Sequence, residues 1–190
     1  MNDLTTKNFG LLIAYVLPGL TILWGISFFY EPVHIWLYTA PENAPTVSGF
    51  LYVTLAAVAA GMTASTVRWL LIDGMHHVTG LRRPALDFSR FQNHIEAYDI
   101  LTEVHYRYYQ FYANMIVAIL FAIAAQRTAL ESWLTMPNFA EVSAILVMAL
   151  FYAGSRDTLG KYYSRLSRLL GTETPALKKG KRLPAEMPSV

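Results

Sequence analysis

Apolar residues concentrate in four stretches that polar loops separate. The stretches cover residues 9–30, 49–72, 109–127 and 138–155. The first two approach or exceed the roughly 20 residues that a helix needs to cross a bilayer. The apolar cores of the last two are shorter, so a re-entrant pair is the alternative to two full crossings. The pattern predicts an all-α integral membrane protein with four transmembrane helices.

Basic residues fall on every second side of these stretches. The loop after the second stretch and the tail after the fourth hold most of them: Arg82, Arg83, Arg90, Arg156, Lys161, Arg165, Arg168, Lys178, Lys179, Lys181 and Arg182. The other two loops contain several glutamates and one arginine, Arg127. Because cytoplasmic loops are enriched in Lys and Arg, we expect both termini in the cytoplasm and the protein in the inner (plasma) membrane.

The composition agrees with a membrane location. The chain is 54% hydrophobic and 15% charged, against about 25% charged residues in soluble domains. The bilayer is therefore the first expected partner, and anionic lipid headgroups attract basic residues close to its surface. Nucleic acid is not expected, because the basic run 178–182 has no aromatic residue for base stacking. The absence of cysteine excludes disulfides and thiolate metal sites.

The same pattern predicts the domain organisation. Residues 1–170 form a four-helix membrane domain, which includes a cytoplasmic segment at 73–108. From about Ser89 this segment is expected to be a helix that extends the third crossing into the cytoplasm. The fourth helix is expected to continue to Leu170. Residues 171–190 are rich in Lys and Pro and are expected to form a disordered basic tail.

A polar stripe follows the third predicted helix. Its members are three or four positions apart and so share one helix face: Glu96, Asp99, Glu103, Arg107, Gln110 and Asn114. We expect the stripe to contact a cytoplasmic protein partner or another copy of the chain, or to line a wet cavity. The alternative is a solvated helix face that happens to end in two amides inside the membrane.

A row of small residues follows the second predicted helix. Ala57, Gly61 and Ser65 are four positions apart, and such rows let helix backbones approach closely in membranes. The row predicts either packing inside one chain or an interface between subunits. If the row forms an interface between subunits, the protein is a homo-oligomer, which is the state we expect.

Four histidines lie in the middle segment beside several carboxylates: His76, His77, His94 and His105. Imidazole and carboxylate ligands suit zinc or iron. His94 and His105 are about 16 Å apart along one helix, so they do not share a metal unless His76 or His77 folds back against one of them. The alternative is a set of surface and interfacial histidines with no cofactor.

These features favour a non-enzymatic function. The leading hypothesis is a subunit of a bacterial inner-membrane assembly that couples a cytoplasmic partner to the bilayer as an anchor, a sensor or a membrane-acting effector. Antiviral defence systems contain such subunits, which is an analogy of architecture alone. The alternatives are a membrane enzyme with a His/carboxylate metal site and a small channel or transporter subunit. Buried charge is not expected, since Arg68 lies near a helix end where its side chain can reach the headgroups.

Overall fold

The computed structural model describes residues 2–38 and 47–171. It is 85% helical, and the described ranges contain no β-strand, which confirms the all-α class. Three helical stretches are long and apolar enough to cross a bilayer: Gly49–Val78, Ile95–Ala129 and Phe139–Leu170. A fourth apolar stretch, Leu12–Ile26, is shorter. The predicted tail at 171–190 lies outside the described residues except for Gly171.

The described part of the chain contains seven α-helices. They are α1 (Asn2–Ile26), α2 (Glu31–Tyr38), α3 (Val47–Arg68), α4 (Gly74–Val78), α5 (Ile95–Leu101), α6 (Arg107–Ala129) and α7 (Phe139–Leu170). Two π-helical turns, Trp69–Asp73 and Thr102–Tyr106, join α3 to α4 and α5 to α6. A 3₁₀ helix at Phe88–His94 precedes α5.

The helix boundaries differ from the predicted spans in a consistent way. The second apolar helix does not end at 72 but continues to Val78. The third helical stretch begins at Ile95, a few residues after the helix start expected near Ser89, because Phe88–His94 form a 3₁₀ helix. The fourth continues to Leu170, as expected. The third and fourth helices are therefore long enough for full crossings, because helical residues outside the apolar cores extend both of them.

Consecutive long helices run in opposite directions. Gly10 lies beside Arg107 and Gly25 beside Phe121, so α1 and α6 are parallel. Gly154 packs on Tyr112, and α7 is antiparallel to α6. Consequently α1 begins and α7 ends at the same end of the bundle. We call this the basic end and define it as residues 79–106 and 156–171; the opposite end comprises residues 27–38 and 127–141.

Helix α6 occupies the centre of the bundle. Half of the most apolar window in Ile95–Ala129 is buried inside the protein, whereas the corresponding share is 17% for Gly49–Val78 and 11% for Phe139–Leu170. Helices α1 and α3 cover one side of α6, and α7 covers the other. The outward faces of α3 and α7 are apolar and exposed, as a lipid-facing surface requires.

Small residues bring α1 and α3 into backbone contact. A Cβ atom added to Gly61 would overlap the carbonyl group of Tyr15, and one added to Gly19 would overlap that of Ala57. In a bilayer the hydrophobic effect does not drive helices together, so close van der Waals packing has to hold them. Because Gly19 and Gly61 have no side chain, the backbones of α1 and α3 can approach this closely.

A proline explains the strongest polar contact between α1 and α6. Pro18 has no N–H group, so the carbonyl of Ala14, four residues earlier, lacks its helical donor. The side-chain Nδ2 of Asn114 donates to this carbonyl at 3.0 Å. A neighbouring helix thus satisfies the backbone group that the proline leaves free, as tolerance of proline in membrane helices requires.

Candidate functional site

The hydrophobic core of the bundle continues into the basic end. There it consists of buried Leu101, Tyr162, Leu166 and Leu170, and four partly buried residues pack against it: Leu86, Phe91, Tyr98 and Tyr106. Tyr106 and Tyr162 are in ring contact at a centroid distance of 5.2 Å. The core joins the α5 region to the final third of α7, so this end is a folded unit and not a set of loose loops.

The segment 79–87 is fastened along α7. Arg156 donates to the hydroxyl and the carbonyl of Thr79 at 2.6 Å and 3.0 Å. At the other end of the segment, the N–H of Asp87 donates to the carbonyl of Leu170 at 2.7 Å. Between them Arg83 is hydrogen-bonded to Tyr163, which raises the pKa of the arginine. These contacts fix the path of the segment over about four turns of helix.

A charged cluster is buried where the α3 helix meets α6. Arg68 is 5% exposed and forms an ion pair with Asp73 at 3.2 Å. The Tyr109 hydroxyl donates to the same carboxylate, and the Arg68 guanidinium lies 5.1 Å from the centre of the Tyr109 ring. The expectation that Arg68 reaches the headgroups is therefore wrong. An internal carboxylate and an aromatic ring satisfy its charge instead.

The π turn makes this ion pair possible. Residues five apart do not share a face in a regular α-helix, where neighbours are three or four apart. The turn Trp69–Asp73 widens the repeat to five residues and aligns Asp73 with Arg68. A local irregularity of α3 thus creates a buried ion pair that the α-helical period does not predict.

His76 and Ser155 form a second buried contact between the helices. The Nε2 atom of His76 lies 3.0 Å from the Ser155 hydroxyl, which itself donates to the carbonyl of Tyr152. The His76 ring stacks on Tyr152 with centroids 5.1 Å apart. Its other ring nitrogen, Nδ1, is buried and has no partner within residues 2–38 and 47–171.

Two cavities open on either side of the segment 79–83. The first, which we call the cleft, has a volume of about 690 Å³ and lies between α4 and α7. Its walls combine apolar side chains with charged ones: Trp69, Leu70, Val78, Leu81, Leu159, Asp73, His76, Arg82 and Arg83. The second, which we call the basic groove, has a volume of about 800 Å³ and contains Arg156, Lys161, Arg165 and Arg168 with one carboxylate, Asp157.

The polar stripe divides into two parts with different surroundings. Glu96 and Asp99 are exposed, and Glu103 and Arg107 are half-buried. Gln110 and Asn114 are buried. The amide of Gln110 donates to the Tyr15 hydroxyl at 3.4 Å, while Asn114 bonds the α1 backbone. The membrane half of the stripe therefore contacts α1 of the same chain, and the outer half remains on the surface of the basic end.

The row of small residues also faces α1. Ala57 and Gly61 are buried against it, as described above, and Ser65 is partly buried beside Tyr15. We assign the small size of Ala57 and Gly61 to packing inside the chain rather than to a subunit interface.

The four histidines do not converge. Among the described residues, no group of three or more His, Asp or Glu side chains is placed to hold a metal ion. His76 has Asp73 and Arg156 as its charged neighbours, whereas His105 is close to Asp157, Lys161 and Arg165. His77 is exposed and His94 half-buried. The ligand set that the metal-site hypothesis requires is thus not assembled within the described ranges.

The comparisons with known proteins add no further constraint. No family model, no curated protein and no solved structure matches this chain.

Proposed function

We propose that this chain is a four-crossing subunit of a bacterial inner-membrane assembly, with both termini and the basic end in the cytoplasm. In this function the basic end holds a cytoplasmic protein partner at the bilayer through an acidic surface of that partner. The subunit acts by binding and positioning and not by catalysis. The sorted Lys and Arg residues support the orientation.

The observation that carries the proposal is the length and folding of the basic end. Helix α7 has 32 residues and is about 48 Å long, whereas the hydrocarbon core of a bilayer is about 30 Å thick. The surplus of α7 packs on the α5 region and on the segment 79–87, and the hydrophobic core of the bundle continues between them. Anchoring alone requires no such folded projection, but a docking platform does.

Unpaired charge on this projection supports an acidic partner. Lys161 is neutralised by Asp157 at 2.6 Å, and Arg156 is bonded to Thr79. Arg165 and Arg168 also line the basic groove, are exposed, and form no ion pair within the described part of the chain. Exposed, unpaired arginines beside a folded core suit bidentate binding of carboxylates.

Site-specific photocrosslinking in living cells tests the proposal. A photoreactive amino acid is placed at Ser164, next to Arg165 in the basic groove, and at Leu150 on the exposed apolar face of α7 as the matched control. We expect one discrete protein adduct at Ser164 that is absent at Leu150. The Arg165→Gln/Arg168→Gln variant should reduce the yield of that adduct about fivefold, because each exposed ion pair contributes up to about 1 kcal/mol.

Two results would contradict the proposal. One is the absence of a protein adduct at Ser164 when the protein is inserted normally in the membrane. The other is an adduct that forms equally well in the arginine variant. The channel hypothesis gains no support from Gln110 and Asn114, which are buried against α1 of the same chain. The enzyme hypothesis gains none from the His76–Ser155 contact, because the Ser155 hydroxyl is fully buried.

A further inference from the structure

We propose that the cleft between α4 and α7 is a binding site for one anionic phospholipid, with the phosphate group at Arg82 and Arg83 and an acyl chain against Trp69 and Leu70. The basic groove on the other side of the segment 79–83 has no part in this site. The inference is independent of the protein partner, because it uses different arginines and a different cavity.

The composition of the cleft matches an amphiphile. Trp69 and Leu70 are 62% and 70% exposed, and Val78 is 86% exposed. Together with Leu81 and Leu159 they form an apolar wall, and Arg82 and Arg83 lie on the same cavity. A free anion would leave the apolar wall in water, whereas a lipid covers it and pairs the charges at the same time.

The depth of the cleft fits the inner boundary of the hydrocarbon. About 30 Å of helix separates Gly49 from Trp69 at 1.5 Å per residue, which equals the thickness of the hydrocarbon core. Tryptophan prefers this boundary, and basic pockets between membrane helices on the cytoplasmic side suit anionic headgroups. A phospholipid in the inner leaflet therefore has its phosphate at the level of the two arginines.

The charges inside the cleft favour an anion. Asp73 is the carboxylate on its wall, but the Asp73 carboxylate already pairs with Arg68 and Tyr109. Arg83 and Tyr163 line the same cavity, and their contact raises the pKa of the arginine, so its charge is retained there. His76 also lines the cleft, is 1% exposed, and has a buried Nδ1 without a partner in the described ranges. This atom is a further hydrogen-bonding group for a lipid headgroup.

Native mass spectrometry of the delipidated full-length protein tests the site. Phosphatidylglycerol, phosphatidylcholine and glycerol phosphate are titrated separately. We expect saturable binding of one phosphatidylglycerol, at least about tenfold weaker binding of phosphatidylcholine, and no displacement by millimolar glycerol phosphate. Displacement of the lipid by glycerol phosphate would overturn the lipid assignment, because the acyl chain would then contribute nothing. Equal affinity for phosphatidylcholine would overturn the role of the arginines.

A pair of variants with equal charge distinguishes the cleft from the basic groove. Arg82→Gln/Arg83→Gln should weaken phosphatidylglycerol binding about tenfold, while Arg165→Gln/Arg168→Gln should change it less than about twofold. Equal losses in the two variants would show non-specific attraction and overturn the site.

A measurement on the unmodified chain keeps the test valid if a variant fails to fold. Phosphatidylglycerol with a diazirine near the top of its acyl chain is photoactivated on the wild-type protein. We expect the label on residues 69–83 or on Leu159 and Tyr163, which also line the cleft. Labelling confined to residues that line only the basic groove, such as Ala153, Gly160 and Ser164, would contradict the proposal. If the wild-type protein binds no phosphatidylglycerol but gives the Ser164 crosslink, the lipid site alone is refuted. If it binds phosphatidylglycerol but gives no Ser164 crosslink, the proposed function alone is refuted.

Discussion

The two sides of α6 are held by different means. On one side, α1 contacts α3 through glycines that place backbone against backbone, and it contacts α6 through an amide bonded to a free carbonyl. On the other side, the first half of α7 is largely exposed, with Leu146 62% and Leu150 71% accessible. Helix α7 contacts α6 near its middle, where Phe151 lies against Phe111 and Tyr112, and it is also attached near its two ends.

This contrast follows from the solvent. Lipid is as apolar as leucine, so a leucine-rich helix face gains little by packing inside a bilayer. The α1–α3 contact has small residues and therefore packs closely. The first half of α7 has bulky aliphatic residues whose side chains are exposed, as a lipid-facing surface requires. Near its two ends α7 is held by other contacts: the Arg127–Glu141 ion pair at the opposite end and packed aromatic rings at the basic end.

A single methyl group should disrupt the close-packed side most strongly. Gly61→Ala places a Cβ into the Tyr15 carbonyl, so we expect a loss of about 3 kcal/mol in unfolding free energy. Gly74→Ala is the matched control, because nothing lies within 4 Å of its Cβ position. The control should be neutral or stabilising by up to about 1 kcal/mol. Denaturant titration in detergent micelles measures both, and equal stabilities would refute the close contact.

Removing the amide should have a smaller effect that depends on Pro18. Asn114→Leu leaves the Ala14 carbonyl without a donor and should cost about 1 kcal/mol. In a Pro18→Ala background the restored N–H group satisfies that carbonyl, so the same substitution should cost less than about 0.5 kcal/mol. A double-mutant cycle measures the difference. If the two substitutions are additive, Asn114 does not compensate for the proline.

Weakening the Arg127–Glu141 ion pair, which attaches the start of α7 to α6, should affect only the residues around it. Glu141 accepts two hydrogen bonds from Arg127, each 2.7 Å long, and forms a capping box with Asn138 at the start of α7. Glu141→Gln removes the charge from this pair. Amide hydrogen exchange at residues 130–142 should become several-fold faster, with little change in α1 and α3. Glu131→Gln, an exposed position in the same loop, should leave the exchange unchanged; equal acceleration in both variants would contradict the attachment.

Periodicity in the sequence predicts helices but not their neighbours. The all-α class and three of the long apolar helices follow from the apolar stretches. Gln110 and Asn114, two positions of the predicted stripe, both form hydrogen bonds to α1. However, a 3.6-residue period states which side chains are aligned and does not state which helix covers them. The contact with α1 depends on Pro18, whose missing N–H group is visible in the sequence and offers the clue.

The helical period of the sequence does not predict the buried cluster of Arg68, Asp73 and Tyr109. Arg68 and Asp73 are five residues apart, a spacing that only the π turn aligns, and no short sequence signal for such a turn is available. The capping box is different. Asn138 followed three residues later by Glu141 is a recognisable helix start, and it predicts the beginning of α7 directly.

Cysteine labelling tests the central claim, which is that the bundle crosses the membrane with its basic end in the cytoplasm. The chain contains no cysteine, so single cysteines serve as unique probes. Ser164→Cys reports on the basic end, Leu134→Cys on the opposite end and Leu146→Cys on the lipid-facing surface of α7. A membrane-impermeant maleimide should label Leu134→Cys in intact cells, Ser164→Cys only after lysis, and Leu146→Cys in neither condition. Labelling of Ser164→Cys in intact cells, or of Leu146→Cys as fast as the other two, would contradict the account.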